Sequence, residues 1–235
     1  MAATLYLIPV PLGATTPEAV LPAPVLAQIR PLTHFVVENA KSARAFLKAV
    51  GTEQPLQSLL LEELNEHTPH QALQKLLEPL LAGHDVGLLS EAGCPAVADP
   101  GADLVALAQK NGIRVVPLVG PSSLLLGLMA SGLNGQRFAF LGYLPSKPAE
   151  RAKALRDIEI ESRKQRQTQL FIETPYRNQQ MLETILATCQ PSTRLTLATD
   201  LTLPSESVLT HTVAEWKKRT PPEIERRPTV FLLLA

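Results

Sequence analysis

The sequence is short of the residues that usually announce a chemistry. Two cysteines in 235 residues, Cys94 and Cys189, are too few for a zinc cage or a disulfide framework. There is no paired CxxC and no HExxH, and the five histidines (34, 67, 70, 84 and 211) are scattered. His67 and His70 share a neighbourhood, which reads as a polar helix start rather than a metal pair, so no metal site is expected. GxGxxG, GxxxxGK[ST] and GxSxG are missing, which argues against an ordinary dinucleotide site and a P-loop. Aromatic residues make up 4% of the chain, and no base-stacking platform is visible. Basic and acidic residues balance at 22 each, so no overall field draws in a polyanion and only a local patch could. The apolar start lacks a basic n-region and breaks at Pro9, and no stretch is long enough to span a bilayer without interruption. The expectation is a cytoplasmic protein with neither signal peptide nor anchor.

What is present is a globular composition, 45% apolar and 19% charged, with room for one large domain or two small ones. The most constrained stretch is LLSEAGCPAVADPG, residues 88–101. A short apolar run stops at Ser90, and a loop holding two glycines and two prolines leads to a helix over 103–109 and a strand over 113–117. Pro95 and Pro100 fix φ, while Gly93 and Gly101 permit geometry or close approach that a side chain forbids. So rigid a loop at the carboxyl end of a strand is where α/β proteins bind ligands.

Around it, strands are expected over 5–10, 34–38, 56–61 and 86–89, and helices over the later half of 17–30, over 42–50 with Gly51 as left-handed cap, and over 68–81. Strands alternating with helices predict a parallel sheet with helices on both faces. After Pro117 the texture changes. A helix opens near Pro121 and runs to about Ser131. Strands follow over 138–143, 169–173, 195–198, 207–212 and 229–234, with helices over 147–167 and 178–187. All 12 glycines lie at or before Gly142, so the second half must build its turns from Pro, Asn, Asp and Ser. The fold class is α/β in two domains, a parallel-sheet domain over 1–117 and a second α/β domain with a mixed sheet over 118–235.

Four ordered motifs then carry a resemblance: VPLG (10–13), SEAGCPAVADPG (90–101), VPLVGPSS (116–123) and ETPYR (173–177). Together they resemble the tetrapyrrole-methylase superfamily, and most closely its branch that methylates a cytidine 2′-hydroxyl in bacterial small-subunit ribosomal RNA. The resemblance runs from Leu5 to Ala235, short of a small C-terminal extension that many members of that branch carry. It implies two α/β domains with S-adenosylmethionine in a cleft between them, generally in a homodimer. Carried onto this sequence, Pro11, Ala92, Gly93, Cys94, Val97, Ser122, Ser123, Ile172 and Ala198 are the expected cofactor-binding residues. Cys94 stands where a small polar neighbour of the cofactor is usual, and is read as non-nucleophilic. The chain departs on the substrate side: of Glu-Asp-Thr-Arg only Glu38 is kept, with Asn39, Ala40 and Lys41 at the other positions, and Tyr176 replaces His.

The implied reaction is methyl transfer, which asks the protein mostly for an in-line approach and, for a ribose hydroxyl, for removal of its proton. Glu38 and Glu173, carboxylates at strand ends, are the catalytic candidates; the alternative is that each caps a helix or pairs with a neighbour such as Lys41 or Arg177. For RNA, residues 147–166 hold seven basic side chains (Lys147, Arg151, Lys153, Arg156, Arg163, Lys164, Arg166) against four acidic ones, a helix suited either to phosphates or simply to solvent. Methylation of a tetrapyrrole or other small molecule, and a non-catalytic cofactor-binding interaction module, are the other readings.

Overall fold

In the computed structural model, which describes residues 3–65 and 68–235, the chain divides into two units, Met1–Ser122 and Ser123–Ala235. The first contains β1 (Thr4–Leu7), α1 (Pro17–Val20), α2 (Ala23–Ile29), β2 (His34–Val37), α3 (Ala40–Val50), β3 (Leu60–Glu63), α4 (Leu73–Leu81), β4 (Val86–Leu89), α5 (Ala102–Lys110) and β5 (Arg114–Pro117). The strands pair in the order β3-β2-β4-β1-β5, all parallel.

Successive strand residues point to opposite faces, and here each face meets its own helices. Phe35 and Val37 of β2 pack with Leu26, Ile29, Ala43 and Leu47 of α2 and α3. Val36, between them, packs with Leu73, Leu76, Leu77 and Leu104 of α4 and α5. Two-sided burial is why these strands read as continuous apolar runs. Asn39 caps α3 by accepting the amides of Lys41 and Ser42, and Gly51 ends it at φ +75°.

Three expected elements differ. The strand expected over 56–61 is a single 3₁₀ turn, Leu56–Ser58, followed by β3. Pro55 lacks an N–H for the ladder, and its carbonyl instead accepts the Ser58 amide at 2.9 Å and the Ser58 hydroxyl at 2.8 Å. The helix expected over 68–81 is a 3₁₀ turn, His70–Ala72, and then α4; His67 lies outside the described residues. The first strand ends at Leu7, because Pro9 and Pro11 have no N–H to continue it, and Val10 makes an isolated bridge instead.

The second unit contains α6 (Ser123–Ser131), β6 (Phe138–Tyr143), α7 (Pro148–Gln165), β7 (Thr168–Ile172), α8 (Asn178–Thr188), β8 (Arg194–Thr199), β9 (Ser207–Thr212), α9 (Val213–Trp216) and β10 (Thr229–Leu234). Its sheet runs β6-β7-β10-β8-β9. Only β6 and β7 are parallel, so the sheet is mixed. Phe171 and Phe231 stack with ring centroids 5.6 Å apart in a core shared with Leu155, Met181 and Ile185. With no glycine beyond 142, left-handed positions fall to Arg166, Asp200, Thr202 and Arg226. The short α9 was not expected, although its capping box, Thr212 with Glu215, stands in the sequence as T-x-x-E. No helix among the described residues is long and apolar enough to cross a membrane.

Candidate active site

β1, β4 and β5 are neighbours and parallel, so the loops leaving their carboxyl ends emerge on the same edge of the sheet. They meet at Gly93. Its carbonyl accepts the Val10 amide at 2.9 Å, and its own amide donates to the Val10 carbonyl at 3.1 Å. The Cys94 thiol donates to the Pro121 carbonyl at 3.5 Å. Gly93 has φ +74°, and a Cβ there would lie 3.3 Å from Leu12 Cδ2 and 3.8 Å from the Pro121 carbonyl oxygen. Ala96 and Ala98 in the same loop are also left-handed, at φ 64° and 63°. Such conformations cost on the order of 1–3 kcal/mol each and persist where the surroundings over-determine them, commonly at ligand sites.

A ring of side chains holds this loop. The Glu38 carboxylate, just past β2, accepts the Glu91 amide at 3.1 Å, and the Ser42 hydroxyl on α3 donates to Glu91 Oε1 at 3.0 Å. Asp99 completes a group of three carboxyls. Burial, and then the nearby Glu38 charge, push its pKa up to about 6 against an opposing hydrogen bond from Ser90, with Glu91 adding to the rise. Burial, and next Asp99, raise the Cys94 thiol, which therefore stays protonated as a donor. Asp99 was missed in the sequence. Its signal was a titratable side chain between Ala98 and Pro100, inside the loop already singled out.

The sign of the Asp99 effect follows from linkage. Folding favours its neutral form, so that contribution is complete below the ordinary carboxyl range and is lost as pH rises through about 6. Asp99→Asn, neutral throughout, should therefore melt above wild type at pH 7 and higher, and alongside it near pH 4. Thermal unfolding of both proteins across that range checks this; a constant offset at every pH would count against it.

In the second unit, Glu173 follows β7 with its side chain fully buried. Oε1 accepts the Thr174 amide at 2.6 Å and an Arg177 guanidinium N–H at 2.7 Å, while Oε2 has no partner. Burial alone would raise this carboxyl, but the bonds from Arg177 and Thr174 outweigh it and hold the group below its ordinary value. Ile172 and Ala198 are both cross-strand neighbours of Val230 on β10, and Ser123 opens α6. The expected cofactor residues thus fall into two sets. Pro11, Ala92, Gly93, Cys94 and Ser122 lie in the three loops that meet at Gly93, with Val97 exposed farther along the second loop. Ser123, Ile172 and Ala198 belong to the other unit.

The basic helix α7 is corrected in part. Arg151 is buried, its Nε donating to Thr184 Oγ1 at 3.1 Å and its Nη1 to the Ser146 carbonyl at 3.2 Å. It ties α7 to α8 and is not available to phosphate. Glu159 is buried as well, accepting the Gln190 amide and the Thr193 hydroxyl. Lys153, Arg156, Arg163 and Lys164 remain exposed.

No family model matches the chain. Among curated proteins, the ribosomal RNA small subunit methyltransferase I of Xylella fastidiosa is 35% identical over 207 residues, 88% of this chain and 72% of that protein. Its namesakes from Escherichia coli O157:H7 and Pseudomonas aeruginosa are 33% identical over 87% of this chain and 67% of theirs, and 32% identical over 91% and 72%. Among solved structures, the methyltransferase CobJ superposes with a TM-score of 0.63 at 20% identity, covering 99% of this chain and 93% of its own. The cobalt precorrin-4 methyltransferase CbiF gives 0.60 at 14%, covering 98% and 94%. At such identities the structural likeness speaks to the fold.

Proposed function

The chain belongs to the family of the ribosomal RNA small subunit methyltransferases I, and from that premise we propose that it methylates a ribose 2′-hydroxyl of ribosomal RNA. It is an S-adenosylmethionine-dependent methyltransferase with the tetrapyrrole-methylase fold. The observation that carries the reading is the convergence of three loops on Gly93 at the carboxyl edge of the parallel sheet. The residues there fit the cofactor, which as a zwitterion carrying a sulfonium asks for backbone groups and small side chains more than for charged clamps. Ala92, Gly93, Cys94 and Ser122, with Pro11 beside them, provide those.

When bound, S-adenosylmethionine supplies the electrophilic methyl group. The chain's own part is to orient the acceptor and hold its proton. Of the first unit's carboxyls, we propose Asp99 for the 2′-hydroxyl proton: it lies in the loop at 90–101, beside Glu38 and Glu91, and burial and the Glu38 charge raise its pKa to about 6. Glu38 acts by fixing the loop through the Glu91 amide. In the second unit, Glu173 is held as an ionised acceptor by its pair with Arg177.

Exposed Leu125 and Met129, one turn apart on α6, support a second copy of the chain as partner. The test is tritiated methyl transfer to small ribosomal subunits that lack the modification, run beside a small-molecule extract. Label should appear in ribosomal RNA and survive alkali as a blocked dinucleotide, because a 2′-O-methyl group prevents cleavage at that position. Label confined to the small-molecule fraction would overturn the reading.

A further inference from the structure

Of the chain's three tyrosines, two stand exposed at the carboxyl ends of neighbouring parallel strands in the second unit. Tyr143 closes β6 and is 58% exposed; Tyr176, in the 3₁₀ turn Pro175–Arg177 that follows β7, is 73% exposed. Irregular backbone presents both. The β6–β7 register shifts between Phe140 and Tyr143, with Gly142 at φ +68°, and such a bulge re-aims a side chain. Beyond β7, Pro175 opens the turn, and its carbonyl accepts the Arg226 amide at 3.0 Å.

That last bond brings a cation to the ring. Arg226, exposed and left-handed at φ 61°, lies over Tyr176 with its guanidinium carbon 5.9 Å from the ring centroid. Its neighbours are differently employed. Arg227 donates to Asp200 Oδ2 at 2.8 Å and to the Glu223 and Ser205 carbonyls, and Arg177 donates to Glu173 at 2.7 Å. Arg177 is raised above the ordinary arginine value first by that bond and, against burial, also by the Tyr143 phenol. Tyr143 therefore stands near Arg177, the residue next to Tyr176. A single exposed ring needs no explanation. Two at one end of a sheet, with a cation over one of them, have the composition of a single-strand binding surface: unpaired bases stack on aromatic rings and cations take the backbone.

We propose that Tyr143 and Tyr176 form a stacking platform for unpaired bases of the RNA substrate, with Arg226 contacting the adjacent phosphate. The proposal rests on the ribosomal RNA reading above and deepens it. Every base has a π-face, so the platform grips the strand without choosing the base. The sequence hides it because the two rings belong to different elements and only the pairing of β6 with β7 brings their ends together.

The test is binding of hexauridylate to the full chain saturated with S-adenosylhomocysteine, at several salt concentrations. Tyr143→Ala and Tyr176→Ala should each weaken binding about ten-fold, within the range for loss of one stacked base. Neither should change the salt slope, because a ring releases no counterion. Tyr176→Phe keeps the ring and should bind within two-fold of wild type. Arg226→Gln should flatten the slope by about 0.7 units, the value of one single-strand phosphate contact. Melting temperature, S-adenosylhomocysteine affinity and mass by light scattering should match wild type in all four variants. No binding by wild type, or wild-type affinity in both alanine variants, overturns the platform. So does a Tyr176→Phe variant as weak as Tyr176→Ala, since the hydroxyl and not the ring would then carry the contact. A lower mass in the alanine variants overturns it too, by giving the face to a second copy of the chain. If the alanine variants weaken as expected while wild type labels no ribosomal RNA, the platform stands and the functional reading fails. If wild type labels ribosomal RNA while both alanine variants bind normally, the reading stands and the platform fails.

Discussion

Gly93→Val is expected to leave the protein folded and to lower S-adenosylhomocysteine affinity more than a hundred-fold. Gly93 sits at φ +74°, where a β-branched residue is a genuine outlier, and its main chain is tied on both sides to Val10. A Cβ there already approaches Leu12 Cδ2 to 3.3 Å and faces the Pro121 carbonyl oxygen at 3.8 Å. The γ-carbons of valine reach farther, so the second loop must part from the first or from the third. Either movement dismantles the place where all three meet. Gly93→Ala carries the φ strain, on the order of 1–2 kcal/mol, with little of the crowding, and about a ten-fold loss is expected. Calorimetry with a melting curve on each variant reads both effects; wild-type affinity in a folded Gly93→Val protein would separate the loop from the cofactor.

The same residues show which parts of this molecule could be read without coordinates. The sheet of the first unit was legible because its strands are buried on both faces and so appear as unbroken apolar runs, as in 34–37 and 86–89. The loop at 90–101 was legible because glycine and proline record backbone geometry in the sequence itself. Polar roles were less so. Glu38 was noticed as a strand-end carboxylate, but its contact with the Glu91 amide joins residues 53 positions apart, and no local pattern encodes that. Asp99 gains its raised pKa first from burial and then from Glu38, 61 positions away. In α7, charge along a helix was visible while its direction was not. Arg151 and Glu159 look like solvated residues in sequence, yet each satisfies partners on or beside α8. The 56–61 segment misled for the opposite reason: its apolar composition suits a strand, but Pro55 starts a turn first.

That difference within α7 gives the second large effect. Arg151→Glu should cost on the order of 3–5 kcal/mol, because it removes two hydrogen bonds from a charged group, each worth about 1.5–3 kcal/mol, and puts an unpaired carboxylate in their place. At roughly 2–4 °C per kcal/mol for a chain of this size, the melting temperature should fall by roughly 10 °C. Any loss of RNA binding in that variant would report the fold rather than a phosphate contact. Arg156→Glu with Arg163→Glu asks the cleaner question. Both side chains are exposed, so stability should change by no more than about 0.5 kcal/mol per site. If both meet phosphates, the salt dependence of RNA binding should flatten by roughly 1.4 units, with cofactor affinity unchanged. The checks are melting curves for both variants and RNA affinity at several salt concentrations for the double variant. An unchanged slope would leave α7 as a solvated face.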